Sequence, residues 1–334
     1  MAKIDSVYDF TDKALVELKS WLEPWFLRKD TTQIVDTPSF AEAVAELAAT
    51  RDLRGYWRLG EGASPFADTS GHVTPAAAVK HTSTTAMSEN VSGALPAADD
   101  DGAVAFNAFA LSDYLSTGGV DPTRFDFALT DTAVTVAAWI KPSAGTTAAP
   151  ATVAGEWFND GTYGGSGYRI GVNFPALTPF FERRRAAGGT PDGIATGLAM
   201  VADTWYFVVG TYNGTAGHNL YVNGILAASD ATTFQLISAG FGFYIGYGVN
   251  TGGVPTSFKG AVDEVSVWGW ALTAAEVATL YESGVGVDPG VGTFWFHGSG
   301  TPASSLGDDG AYYLDTATGH IWFKASGAWA QIWP

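Results

Sequence analysis

The 334-residue chain carries 34 Asp and Glu residues against 17 Lys and Arg, so the first question is whether any acids are spaced for chemistry. Glycoside cleavage needs two carboxylates facing one cleft, about 5 Å apart for retention or roughly 6.5 to 9.5 Å for inversion. The adjacent acids on a convincing strand are Asp263 and Glu264, and neighbours on a strand point to opposite faces. They are therefore not expected to form a catalytic pair. The five histidines, His72, His81, His218, His297 and His320, show no metal-ligand spacing, and no serine nucleophile motif is present. His218, beside a hairpin turn, reads as a solvated loop residue. No enzyme is expected.

Binding chemistry is better represented. Asp99, Asp100 and Asp101 precede Gly102, and clustered carboxylates suit calcium, a hard cation that takes roughly six to eight oxygens. This is not an EF-hand loop, because Ala97 and Ala108 fall where its first and twelfth ligands belong. The stretches from Trp157 to Gly164 and from Tyr247 to Asn250 set aromatics and amides among glycines. Sugar rings stack on aromatic faces while amides bond hydroxyls, so Trp157, Asn159, Tyr163, Tyr247 and Asn250 are candidate glycan contacts. The alternative is that these aromatics plug the ends of the fold. Arg183, Arg184 and Arg185 read as a solvated loop, with an inter-subunit contact as the alternative.

The formal charge of -17 disfavours non-specific attraction to nucleic acid or anionic lipid. No run approaches the roughly 18 apolar residues of a membrane span. The start, MAKIDSVYDF, has acids where a signal peptide needs an apolar run. The chain is expected to be made in the cytosol and to stay there or leave by lysis. Without cysteine it can form neither a disulfide nor a thiolate metal site.

The elements that must position these residues are mainly strands. Hydrophobic residues make up 46%, aromatics 13% and charged residues only 15%, with 41 Gly, a mixture that suits strands joined by glycine-rich turns. From Phe258 to Gly284 a strand, a corner at Gly269 and a short helix follow one another. Val265 and Val267 share one face of the strand, and Glu264 and Ser266 the other. Thr273 and Glu276 form a capping box, Leu272 staples onto Val277, Val277, Leu280 and Tyr281 make the apolar stripe, and Gly284 is placed for a left-handed cap. Leu220 to Val222 and Ile225 to Ala227 flank Asn223-Gly224, a type I′ hairpin signal. Trp205 to Tyr212 is apolar on both faces, as a central strand covered on both sides should be.

Ahead of the strands, Ile4, Val7, Ala14, Leu18, Trp21 and Trp25 follow a heptad seam. Leu18, Trp21 and Trp25 are candidate oligomerisation residues. A second helix is expected from Thr37, as N-cap, through Ala49, with Phe40, Val44 and Leu47 on one face. Both helices either pack on the following domain or serve self-association and anchoring.

Several of these segments carry a family resemblance. The run G-A-V-D-E-V-S-V-W-G-W-A-L-T-A-A-E-V, with Gly55 to Glu61, Asp68-Thr69-Ser70-Gly71, Gly102 to Phe106, Asp113 to Leu115 and Thr135 to Pro142 in order, resembles LamG-like jelly-roll domains of the concanavalin A-like type. The resemblance implies a β-sandwich over 53–284, behind a helical segment, 1–52. It also implies calcium near the D-x-S-G loop and the late D-E strand, at Asp68 and Asp263; the alternative there is an Asx-turn at Asp68 and a backbone amide on Asp263. The E-x-D-x-x-E run of the fold's glucanases is absent.

Residues 285–334 read as a small antiparallel β module. Its G-S-G-T-P, Y-L-D-T-A-T-G and G-A-W motifs look like a module that recurs in tail and fibre proteins of tailed bacteriophages. Below about 50 residues and without disulfides it should dock or trimerise. The resemblance implies a non-enzymatic virion surface protein, assembled in the host cytoplasm and released by lysis. It would be a homo-oligomer, with a trimer favoured, in contact with other virion proteins and with a host cell-surface glycan. The alternatives are a purely structural decoration or fibre component and a bacterial surface glycan-binding module.

Overall fold

The computed structural model describes the chain from Pro38 onward, except residues 73, 82–86, 96–101, 108–112, 119–123, 126, 128–132, 146–149, 159–165, 185–191, 196–197, 234–241, 251–253, 286–294, 303–311, 316, 326–327 and 334. Leu18, Trp21 and Trp25 therefore lie outside the described residues.

Ser39 to Val285 form one compact unit, a sandwich of two sheets. The first sheet runs, edge to edge, Ile225–Asp230, Gly217–Val222, Tyr206–Asn213, Ala133–Pro142, Gly260–Trp268, Ala103–Phe106 and Met87–Val91, with Leu53–Trp57 also pairing on Gly260–Trp268. The second runs Asp192–Ala195, Thr178–Arg184, Ser166–Asn173, Pro150–Phe158, Tyr244–Ile245, Tyr114–Ser116 and Val79–His81. The turn at Asn223 and Gly224 has positive φ at both residues, as a type I′ hairpin requires.

Tyr206–Asn213 lies in the middle of its sheet, as its two-sided apolar pattern demands. Val208 and Tyr212 point into the core between the sheets, with Trp57, Phe106, Val136 and Val265. Phe207 and Val209 point outward into a second core, with Trp139, Trp268, Leu272 and Leu280. Two helices cover that outer face: α1, Phe40–Ala48, and α2, Ala274–Gly284.

The N-cap of α1 is Ser39, two residues beyond the expected Thr37. Its hydroxyl accepts from the Glu42 amide, and the Glu42 carboxylate accepts from the Ser39 amide, so Ser39 and Glu42 satisfy two otherwise orphaned amides. Phe40 meets Phe207 edge to face at 5.6 Å. The stretch at 40–48 is thus part of the body of the sandwich unit and not of a segment ending at residue 52.

Thr273 and Glu276 form the expected capping box of α2. Gly284, however, is helical and buried, and the cap is Val285 in right-handed conformation. A Cβ on Gly284 would lie 2.6 Å from the Trp139 ring and 2.9 Å from Phe40. Glycine is used there for close approach of the helix to the sheet.

Strand Gly260–Trp268 departs from simple alternation. Its register against Ala133–Pro142 shifts between Asp263 and Ser266, and Glu264 has φ of 50°, the marks of a β-bulge. Val262 and Val265 both face the inter-sheet core although three residues apart. Asp263 and Glu264 consequently both lie toward the helix-covered side. The expectation that they face apart fails because one extra residue has been inserted into the strand.

The described residues after Val285 form a separate sheet, in the order Trp295–Gly298, Tyr312–Asp315, Ile321–Ala325 and Ala328–Trp333. The first pair is parallel and the others antiparallel, so one pairing differs from the antiparallel module expected. A connection of about a dozen residues is long enough to return the chain to the same end. Asp315 organises the Y-L-D-T-A-T-G turn, accepting from the Gly300 and Ala317 amides at 2.8 and 2.9 Å and from the Thr318 hydroxyl at 2.7 Å.

Candidate functional site

The outward face of the second sheet carries a cluster of rings built by three strands far apart in sequence. Leu115 and Ile245 point into the core, so Tyr114 and Tyr244 on the same strands point away from it. His81 is the Cα partner of Tyr114. The His81 and Tyr114 rings stack at 4.8 Å and 15°, and Tyr114 and Tyr247 stack at 4.6 Å and 25°. Tyr244 meets Tyr114 edge-on at 5.7 Å and lies tilted to Tyr247 at 5.9 Å.

Because the Tyr114 strand lies between those of His81 and Tyr244, His81 and Tyr247 occupy opposite faces of its ring. Tyr114 therefore offers its edge and hydroxyl, while the end rings offer faces. His81 is exposed and the three tyrosines are half-buried. Burial, reinforced by Tyr114 itself, pushes the Tyr244 and Tyr247 hydroxyls up, so both remain neutral donors and acceptors. Half-wet rings with neutral hydroxyls can stack on a pyranose face and bond its hydroxyls.

Of the expected glycan contacts among the described residues, Tyr247 alone belongs to this cluster. Trp157 and Asn250 are brought together elsewhere on the sheet, Trp157 Nε1 donating to Asn250 Oδ1 at 3.1 Å. Trp157 is 1% exposed and the Arg169 guanidinium lies 4.1 Å over its ring. Arg169 is in turn held by Glu182 at 2.5 Å and by the Thr152 hydroxyl at 2.8 Å. Trp157 is a sealed plug and not a stacking surface. Asn159 and Tyr163 lie outside the described residues. His81, Tyr114 and Tyr244 were missed, although Tyr114-Leu115 and Tyr244-Ile245 each set a tyrosine opposite a core aliphatic.

Both acids implied as calcium ligands are engaged within the protein. Asp68 accepts from the Tyr56 and Ser70 amides at 3.2 and 3.1 Å on one oxygen. Its other oxygen accepts from the Ala76 amide at 3.0 Å and Arg124 at 2.7 Å. Burial pushes the Asp68 carboxyl up, but the bonds from Ala76 and Ser70 and the Arg124 charge together hold it below the usual range. A cation would have to displace Arg124. Asp263 accepts from the Glu264 and Ala94 amides, both at 2.9 Å. Asp99 and Asp101 lie outside the described residues, and among the described residues no three acids, histidines or cysteines converge as a metal site.

Glu264 is buried, accepting from the Tyr56 hydroxyl and lying 3.3 Å from Arg58. Burial, then the Glu264 charge and hydrogen bond, push the Tyr56 hydroxyl far up. Arg183 and His218, expected in solvated loops, are both buried on strands. The Arg183 guanidinium covers Tyr212 and lies 3.4 Å from His218 Nε2. Burial, then the Arg183 charge, lower the His218 imidazolium pKa to about 4.

These features define a two-sheet jelly-roll sandwich with an aromatic patch on the outward face of its second sheet. Residues 112–278, half of the chain, match the model of the concanavalin A-like lectin/glucanases superfamily, and the chain belongs to that family. Among solved structures it is similar to the binding domain of Paraclostridial Mosquitocidal Protein 1, at 14% identity and TM-score 0.50 over 70% of this chain and 52% of that one. It is also similar to the binding domain of botulinum neurotoxin serotype D, at 13% and 0.49 over 72% and 52%. A third likeness is to domain 4 of AbnA, a GH43 extracellular arabinanase from Geobacillus stearothermophilus solved with arabinotriose, at 14% and 0.47 over 69% and 98%. The chain spans about half the length of the toxin binding domains, and at these identities the likeness is one of fold. Comparison with curated proteins finds no relative.

Proposed function

We propose that the sandwich unit is a non-catalytic recognition module that binds a glycan on the rings of His81, Tyr114, Tyr244 and Tyr247. The observation that carries this reading is the half-exposed three-ring stack, an arrangement a core does not need and a sugar can use. The non-catalytic part rests on the burial of Asp263 and Glu264, which are 1% and 0% exposed. It does not rest on the direction in which they point. That the same fold serves as a binding domain in a mosquitocidal protein is in keeping with this role.

The wider setting we propose is the surface of a tailed-phage virion, where a homo-oligomer with other virion proteins would turn weak single contacts into avid adhesion to a host surface. Its support is the set of fibre-like motifs after residue 285. A glycan array probed with the full-length protein tests the site. Binding that disappears in Tyr114→Ala and Tyr247→Ala proteins that remain folded is the expected result. An array flat for the parent protein would favour a purely architectural component.

A further inference from the structure

A second site is built on different elements of the same unit. Between the end of α1, the start of strand Leu53–Trp57 and the loop at 70–72 lies a depression of about 330 Å³, lined by Ala48, Arg51, Asp52, Leu53, Ser70 and His72 among others. That volume is at the lower end of small-molecule sites. Each guanidinium around it is matched by a carboxylate: Arg51 with Glu276 at 2.7 Å, Arg54 with Asp52 at 2.6 Å, and Arg124, behind Ser70, with Asp68 at 2.7 Å. Among the described residues these charges are all matched, which favours an uncharged occupant.

The polar groups at the wall are a complementary set. The Asp52 side chain is 47% exposed while its pairing with Arg54 fixes its orientation, and a wet, fixed carboxylate accepts well from two neighbouring hydroxyls. His72 Nδ1 accepts from the Thr74 amide at 3.4 Å, which places the proton of the neutral ring on Nε2 and makes that nitrogen a donor. Ser70 Oγ accepts from Arg124 at 2.8 Å, and among the described residues the Nε of that same buried arginine has no acceptor. Ala48 and Leu53 supply an apolar wall. Arg51 also lies 4.9 Å over the ring of Trp270, and that indole is 44% exposed.

From this acceptor, donor and apolar wall around an uncharged hollow, we infer that the depression binds a neutral saccharide unit through a vicinal pair of hydroxyls on Asp52. The site is independent of the ring stack and does not rest on the reading given for it.

The test is a titration of the full-length protein, followed by amide resonances, with methyl α-D-mannopyranoside, methyl β-D-galactopyranoside and methyl α-D-glucopyranoside. At least one should shift the Asp52 and Gly71 amides at millimolar concentration. Asp52→Ala and His72→Ala should each weaken that response by about tenfold or more without lowering the melting temperature, whereas Tyr114→Ala should leave it intact. If none of the three sugars moves these amides, or if the response survives undiminished in both variants, the site is overturned. Shifts confined to the neighbours of Tyr114 would overturn it too while supporting the ring stack.

Discussion

Two aromatic clusters share the outward face of the second sheet and differ in what surrounds them. Around Trp157, the polar atoms find partners inside the protein: the indole donates to Asn250, and Arg169 is spent on Glu182, Thr152 and two flanking rings. Around Tyr114, the rings stack on one another, with three half-buried tyrosines beside an exposed histidine. Similar residue types therefore serve opposite ends, one closing a structure and one leaving it open for a ligand. Aromatic content alone does not separate them; the satisfaction of polar atoms does.

The largest expected effect comes from breaking the sealed cluster. Arg169→Ala leaves Glu182 without its partner and opens space over Trp157, and removing one member of a buried pair costs about 3–5 kcal/mol. Chemical denaturation should show that loss, and a variant as stable as the parent would mean the cluster is not sealed in solution.

A second contrast sets His218, 1% exposed, against the exposed His81. The folded state keeps His218 neutral down to about pH 4, whereas the unfolded chain protonates it near the ordinary value of about 6.5. The folded pKa is the lower of the two, so the unfolded state gains protons first as pH falls. Stability is full above about pH 6.5 and declines toward pH 4, by about 3 kcal/mol across that interval. Denaturation midpoints measured at steps of pH should trace this slope. His218→Gln should flatten it, and an unchanged slope in His218→Gln would contradict the burial of that ring.

The contrast also explains what was legible in the sequence. The Thr273–Glu276 capping box, the Asn223-Gly224 turn and the order of strands are local or nearly local signals, and the structure contains them. The bulge at Glu264 was hidden because strict alternation is assumed when a strand is read from its residues. One positive φ moves both acids to the same side without changing a single residue type. Burial of Trp157 depends on Arg169 from the adjacent strand, and burial of Arg183 on Tyr212 and His218 from the facing sheet. Nothing within the Trp157 loop or the arginine run carries that information. The ring stack joins positions 81, 114, 244 and 247, so only its strand-by-strand alternation, not its assembly, is written in the sequence.

The smallest effect on stability, and the most telling on binding, belongs to the open cluster. Tyr114→Ala removes the middle ring of the stack, but that residue is only half-buried. The cost in folding should be about 1 kcal/mol, the scale of an aromatic pair beyond its buried area. Binding should suffer far more, because losing Tyr114 separates His81 from Tyr247 and destroys the continuous surface. Tyr244→Phe isolates the chemistry further: it keeps the ring contacts at 5.7 and 5.9 Å and deletes only the hydroxyl. A glycan held partly by hydrogen bonds should then bind roughly tenfold more weakly with no change in melting temperature. If Tyr114→Ala instead lost stability on the scale of Arg169→Ala and left glycan binding untouched, the two clusters would be doing the same structural job. The distinction drawn between them would then fail.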